Sequence, residues 1–271
     1  MPSIEDFHQF LDSFAPLRLA EPWDNVGLLV GDRGNEVRRL MTCLTITPQT
    51  VEEAISGAAD LIVTHHPLPF AAVKRLTADT TVGSMLLKLI AARVAVYSSH
   101  TAFDSAAEGI NQRLAAGLGL VEIASLVPHP EGQGAGRRGT LAEPLVLGEL
   151  AQRLMTFLGL ANLQIVGKLS QKIQSVAVGC GSAGELLEPA RKASCDALVL
   201  GEARFHTCLE AEACGVGLLL PGHFASERFA VDALAEILSR QFPVTQIWSS
   251  REERDPLQWI GMRLSAAEMP A

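Results

Sequence analysis

The sequence predicts an α/β protein of two similar lobes, with mostly parallel sheets flanked by helices. Short β-branched, aliphatic runs alternate with helix-length segments, the pattern of βαβ units. The second half of the chain then repeats the order of the first. Composition agrees: 48% of the 271 residues are hydrophobic and only 5% aromatic, so the core is expected to be aliphatic, as suits sheets covered by helices. The length allows one large domain or two modest ones of about 100–200 residues.

In chain order, RRLMTCLTIT (38–47) reads as a strand, TVEEAISGAA (50–59) as a helix and DLIVT (60–64) as a strand. SMLLKLIAAR (84–93) and VAVYSS (94–99) repeat the helix–strand alternation. PHPEGQGAGRRGT (128–140) is rich in Pro and Gly and reads as a linker. The helical LVLGELAQRLMTFLG (145–159) follows, and the alternation resumes. The expected organisation is a first lobe over 1–127, completed by the C-terminal segment 243–271, a linker over 128–140, and a second lobe over 141–242.

The internal echo can be laid out residue by residue. Segment 37–66 aligns with 173–202, strand on strand and helix on helix, with Asp60 falling on Asp196. VAVYSSHTAFD (94–104) then corresponds to VGLLLPGHFASE (216–227), each ending in His, three residues and a carboxylate. Chance likeness among βαβ segments could mimic the first part of this match, whereas the matched endings argue for duplication.

A formal net charge of -8 argues against a nucleic acid or an anionic membrane as partner. No apolar run approaches the about 20 residues of a spanning helix. The start, MPSIEDFHQFLDSF, lacks the basic, apolar character of a secretory signal. A cytoplasmic location is expected. Five cysteines (43, 180, 195, 208 and 214) form no zinc-finger spacing and read as reduced thiols.

Open parallel sheets collect functional groups at the carboxyl ends of their strands. His65 and His66 end DLIVT, and Pro67 forces the chain to turn there, leaving both rings at the rim. Neighbouring side chains on an extended segment diverge, so two adjacent ions suit this pair better than one. His223 and Glu227 lie four apart at the start of the helical FASERFAVDALAEILSR, on one face, and Glu227 has two oxygens to share between ions. Asp104 adds a hard oxygen. Imidazole with carboxylate suits Zn, Mn, Fe or Co rather than Ca or Mg. Plainer readings stand beside each: a solvated or capping His pair, helix N-terminal roles for His223 and Glu227, and an N-cap role for Asp104. Glu202 and His206 follow the strand ALVLG as outer partners, substrate contacts or a helix start. Trp23, Asp24 and Asn25 line the cleft or form a turn. The turn GCGSAGE (179–185) resembles a phosphate cradle, with helix packing an equal explanation.

Seven segments together resemble the Nif-three-like family of dinuclear-metal hexameric proteins, often labelled GTP cyclohydrolase I type 2. They are PWDNVGLLVGD (22–32), LIVTHHPLPF (61–70), SSHTAFDSAAEGIN (98–111), GAGRRG (134–139), VGCGSAGEL (178–186), GEARFH (201–206) and PGHFASE (221–227). The resemblance implies that His65, His66, Asp104, His223 and Glu227 ligate two divalent transition-metal ions, with Glu227 between them. It implies that His100 is an outer ligand or proton carrier and the one catalytic side chain, and that the chain forms a homohexamer of the compact type without an inserted domain. The segment GEARFHTC departs from the family pattern, so a substrate preference set there does not carry over. The expected function is metal-dependent hydrolysis of a nucleotide-like small molecule, by a cyclohydrolase or phosphoesterase. The alternative is a non-enzymatic metal-storage, metal-delivery or partner-binding scaffold protein.

Overall fold

A computed structural model describes residues 1–130 and 133–258. Helix α1 (Ile4–Phe14) leads to β1 (Gly27–Val30), β2 (Arg39–Cys43), α2 (Pro48–Ser56), β3 (Leu61–Thr64), α3 (Thr81–Ala91) and β4 (Ala95–Ser98). The short α4 (His100–Ser105) and α5 (Ile110–Gly117) connect to β5 (Leu120–Pro128) and β6 (Gly134–Val146). Then come α6 (Leu147–Leu158), β7 (Gln164–Val166), β8 (Lys172–Gly179), α7 (Leu187–Lys192), β9 (Ala197–Leu200), α8 (Phe205–Cys214), β10 (Gly217–Leu220), α9 (His223–Gln241) and β11 (Gln246–Ser249).

The result is a mixed α/β fold with two sheets flanked by helices. The first sheet has the order β1-β4-β3-β2-β11, parallel except for β1 at one edge. Its strands β2, β3 and β4 are almost wholly buried, which explains why they read as continuous apolar runs rather than alternating ones. Leu40, Val63 and Tyr97 pack with Phe7 of α1 on one face. Met41, Ile62 and Val96 face Val51 of α2 and Leu89 of α3 on the other. The second sheet has the order β5-β6-β8-β9-β10-β7.

The structure differs from the sequence reading in three respects. The second sheet is mixed rather than mostly parallel: only β8, β9 and β10 run parallel, while β5, β6 and β7 join antiparallel. The expected linker 128–140 is largely strand, with β5 and β6 forming a hairpin; its residues 131–132 lie outside the described residues. The physical reason is close backbone approach. A Cβ at Gly134 would stand 2.0 Å from the Val127 carbonyl oxygen, and one at Gly139 2.8 Å from that of Val121, so these glycines serve pairing rather than flexibility. Finally, α9, assigned to the second lobe by 141–242, inserts Ala230, Leu234 and Leu238 into the core of the first sheet. From the C-terminal segment 243–271, β11 pairs with β2; residues 259–271 lie outside the described residues.

The parallel parts of the two sheets share a backbone clasp. Asp60 Oδ2 accepts from the N–H groups of Arg38 and Arg39 at 2.8 and 2.9 Å. Asp196 Oδ2 accepts from those of Gln174 and Ser175, both at 2.8 Å. Each carboxylate thus precedes one strand and accepts from two successive backbone N–H groups on the chain of its parallel neighbour, at aligned positions. No helix among the described residues is long and apolar enough to cross a membrane.

Candidate metal centre

The carboxyl ends of β3 and β4 in one sheet face that of β10 in the other. His65 and His66 leave β3, His100 and Asp104 lie on α4, and His223 and Glu227 lie four residues apart at the N-terminal end of α9. Glu227 stands at the centre, its side chain only 4% exposed. Its Oε2 lies 3.2 Å from His66 Nε2 and 3.2 Å from His223 Nε2, and those two nitrogens are 3.3 Å apart. Its Oε1 points the other way, 3.8 Å from His65 Nε2, which is 3.6 Å from Asp104 Oδ1. His65, His66 and His100 also bring ring nitrogens within 4.8 Å of one another.

These donor atoms fit a metal better than they fit each other. Three atoms 3.2–3.3 Å apart match the roughly 3.3 Å separation expected of donors bonded at about 2.0–2.1 Å around a tetrahedral ion. Both ring nitrogens of His65, and Glu227 Oε2, are buried without a hydrogen-bond partner, an arrangement that costs free energy unless a further group completes it.

Electrostatics lead to the same conclusion. Burial pushes the Asp104 carboxyl up, and the Glu227 charge adds to this, to about 7. Burial also holds His65 well below its usual range. Burial works against the Glu227 charge, but His65, His223 and His66 override it and keep the carboxyl low. The Glu227 carboxylate raises His223 to about 9. Two carboxylates and three imidazoles in a desolvated cluster need cations, supplied by protons or by metal.

Outer contacts orient the rings. Thr45 Oγ1 is 2.7 Å from His66 Nδ1, and Glu202 Oε1 is 3.1 Å from His223 Nδ1, leaving both Nε2 atoms for the centre. Asp24 Oδ1 lies 2.7 Å from His100 Nδ1, while its Oδ2 accepts from the Thr101 N–H at 3.1 Å and from its hydroxyl. Burial opposes the Asp24 charge, but His100 and Thr101 bring its carboxyl to about 2. His100 itself has φ +27°, a strained backbone setting for a residue with a side chain. A cavity of about 590 Å³ opens beside the cluster, with the exposed rings of Trp23 and Phe70 at its wall.

No side chain caps α9, whose N-cap is Gly222, and the N-cap of α5 is Gly109 rather than Asp104; Glu227 still lies near the positive, N-terminal end of the α9 dipole. Asn25 joins its loop to the one after β3, donating through Nδ2 to the Pro69 carbonyl at 2.8 Å. His206 packs against the exposed Phe205 ring and is not among the cavity's lining residues.

The family model for Duf34/NIF3 (NGG1p interacting factor 3) matches residues 2–256. The chain belongs to the Duf34/NIF3 family. Among its Duf34/NIF3 relatives, a GTP cyclohydrolase 1 type 2 homolog of Clostridium acetobutylicum is 34% identical over 227 residues, spanning 83% of this chain and 85% of its own. A protein of the same name from Clostridium perfringens is 31% identical over 260 residues, spanning 95% and 99%. The solved structure of a Staphylococcus aureus hypothetical protein superposes with TM-score 0.87 at 26% identity, covering 96% of this chain and 99% of that one. A Bacillus cereus protein related to NIF3 gives 0.87 at 22%, which speaks for the fold alone.

Three residues of this Duf34/NIF3 chain matter to the site in ways that sequence reasoning missed. Cys180 Sγ donates to Asp104 Oδ1 at 3.0 Å, so this thiol belongs to the centre rather than to an anonymous core. Asn111 accepts from the Cys180 N–H at 2.7 Å and donates to the Asp104 carbonyl at 3.2 Å. Gly181, inside the suspected phosphate turn, makes room for the central carboxylate: with φ +61°, its Cβ would fall 2.3 Å from Glu227 Oε1. Gly181→Ala is therefore expected to lower metal content per chain by at least half while the far-ultraviolet circular dichroism stays unchanged. Full metal retention measured by elemental analysis would contradict this.

Proposed function

We propose that the chain binds two divalent transition-metal ions and hydrolyses a nucleotide-like small molecule. The observation that carries this reading is the division of Glu227: one oxygen faces His66 and His223, the other His65 and the neighbouring Asp104. Zn, Mn and Fe all suit the donor set. Two such ions would supply an acidified water and Lewis-acid polarisation of a carbonyl, phosphoryl or ring C=N group. The names of the Clostridium relatives support a cyclohydrolase, and a phosphoesterase uses the same chemistry. The aligned Asp60 and Asp196 clasps support a duplicated origin for the two sheets. The homohexamer remains part of the proposal through family resemblance, and sedimentation would test it.

The chain's own residues do the rest. Trp23 and Phe70 offer ring faces, 6.1 Å apart between centroids, against which a planar substrate packs. His100 lies between them and the cluster, with centroids 5.9 Å from Trp23 and 5.1 Å from His65. Asp24 fixes its Nδ1, so Nε2 is the atom left to carry a proton to or from substrate. Asp24→Asn is expected to reduce turnover about 10²-fold with metal content unchanged; unchanged turnover would remove the proton role from His100.

The decisive assay loads the protein with Mn, Zn or Fe and screens nucleotides and phosphate esters. Turnover that disappears in Glu227→Ala with the fold retained is the expected result. No turnover across the panel, with transfer of metal to an apo-acceptor, would overturn it in favour of a storage or delivery protein.

A further inference from the structure

Glu253 takes no part in the arrangement above, yet it is only 6% exposed. It lies on the segment that follows β11. Its Oε2 accepts from the Leu44 N–H at 2.9 Å and pairs with Arg228 Nε at 2.9 Å. Its Oε1 accepts from the Thr45 N–H at 2.6 Å. A buried carboxylate is costly unless both oxygens are engaged, and here they are.

The partners are what give this carboxylate its meaning. Thr45 is the residue whose hydroxyl meets His66 Nδ1 at 2.7 Å. Arg228 follows Glu227 directly, and its guanidinium also donates to Ser249 Oγ at 3.0 Å and to the Ser250 carbonyl at 2.9 Å. One anion therefore joins the loop after β2, which steers His66, to the helix α9, which carries Glu227 and His223. The loop leaves β2 of the first sheet and α9 follows β10 of the second, and both reach the same triangle of donor atoms.

We infer that Glu253 is a positioning residue that sets the spacing of His66 against Glu227, so that docking of segment 250–253 and metal affinity depend on each other. The inference rests on the reading of His66, His223 and Glu227 as ligands. Its physical content is reciprocity: if the docked segment tightens the ion, the ion must tighten the segment by the same factor.

The test uses the 271-residue chain, stripped by chelator and titrated with Co(II) against a chromophoric competitor. The variants are Glu253→Gln, Thr45→Val and the pair combined. Glu253→Gln is expected to weaken one Co(II) about tenfold or more, the range for losing an outer partner, and to shift its visible absorption band. The double variant is expected to lose less than the product of the single losses, because both act on the His66 ring; strictly multiplicative losses would overturn the route through Thr45. Equal affinity and an identical spectrum in wild type and Glu253→Gln would overturn the inference while leaving the ligand reading intact. A wild type that binds no Co(II) would instead sink the ligand reading. Should Glu253→Gln not fold, amide exchange of the wild type decides: slower exchange at Leu44 and Thr45 with metal supports the coupling, and equal rates overturn it.

Discussion

Glu227→Gln is expected to abolish stable binding of both ions while leaving the metal-free protein folded. The glutamine keeps the shape of the side chain but has one oxygen instead of two and no charge, so neither the His66–His223 pair nor His65 retains the shared anion. The loss in affinity should exceed the about 100-fold that removal of a mere outer partner causes. The stability signature is distinctive. A metal that binds only the folded state, present at 1,000 times its dissociation constant, adds about 4 kcal/mol per site; wild type should show this increment and the variant should not. Without metal the difference should narrow, because the desolvated Glu227 charge is then offset only by the imidazoles of His65, His223 and His66. Thermal melts with and without Zn measure both quantities. A variant that still gains stability with Zn would contradict the central role given to this carboxylate.

Arg137→Ala is expected to cost about 3–5 kcal/mol of folding stability, the largest effect predicted for a residue that touches no ligand. The guanidinium is 1% exposed. It donates to the carbonyls of Gly134 and Gly136 at 2.8 Å, to those of Ser105 and Ala106 at 2.8 and 2.7 Å, and to Gln112 and Gln133 Oε1 at 3.0 and 3.3 Å. Burial lowers its affinity for the proton, but a guanidinium stays charged, so the carbonyl cage is what makes the site tolerable. Two of those carbonyls end α4, the short helix that carries His100 and Asp104. Truncation orphans several buried acceptors at once and frees the end of that helix. Arg137→Lys should recover little, since a single ammonium cannot span the planar fork of acceptors. Denaturant titration of the metal-free protein checks this; a loss below about 1 kcal/mol would mean the cage is dispensable.

How far the sequence foretold the molecule depends on the range of the interaction concerned. His223 and Glu227 were legible because their spacing of four is a local helical fact. His65 and His66 were legible because Pro67 ends the strand beside them. Asp104 was open between ligand and cap, and only the structure shows that Gly109 is the N-cap of α5. The hairpin of β5 and β6 was hidden because glycines that permit close strand approach have the same composition as a linker. Gly181 was illegible for a similar reason: the carboxylate it must clear lies 46 positions further on. Asp24 could be named as a cleft residue, but its pairing with His100 joins parts of the chain that only folding brings together. Glu202, read as one of several possibilities, is an orienting partner of His223, whereas His206 one turn later is not.

Anomalous diffraction from crystals of the protein purified without chelator tests the central claim most directly. The account predicts two transition-metal peaks flanking Glu227, one beside His66 and His223 and the other beside His65 and Asp104. A single peak, or none at either oxygen of Glu227, would contradict it.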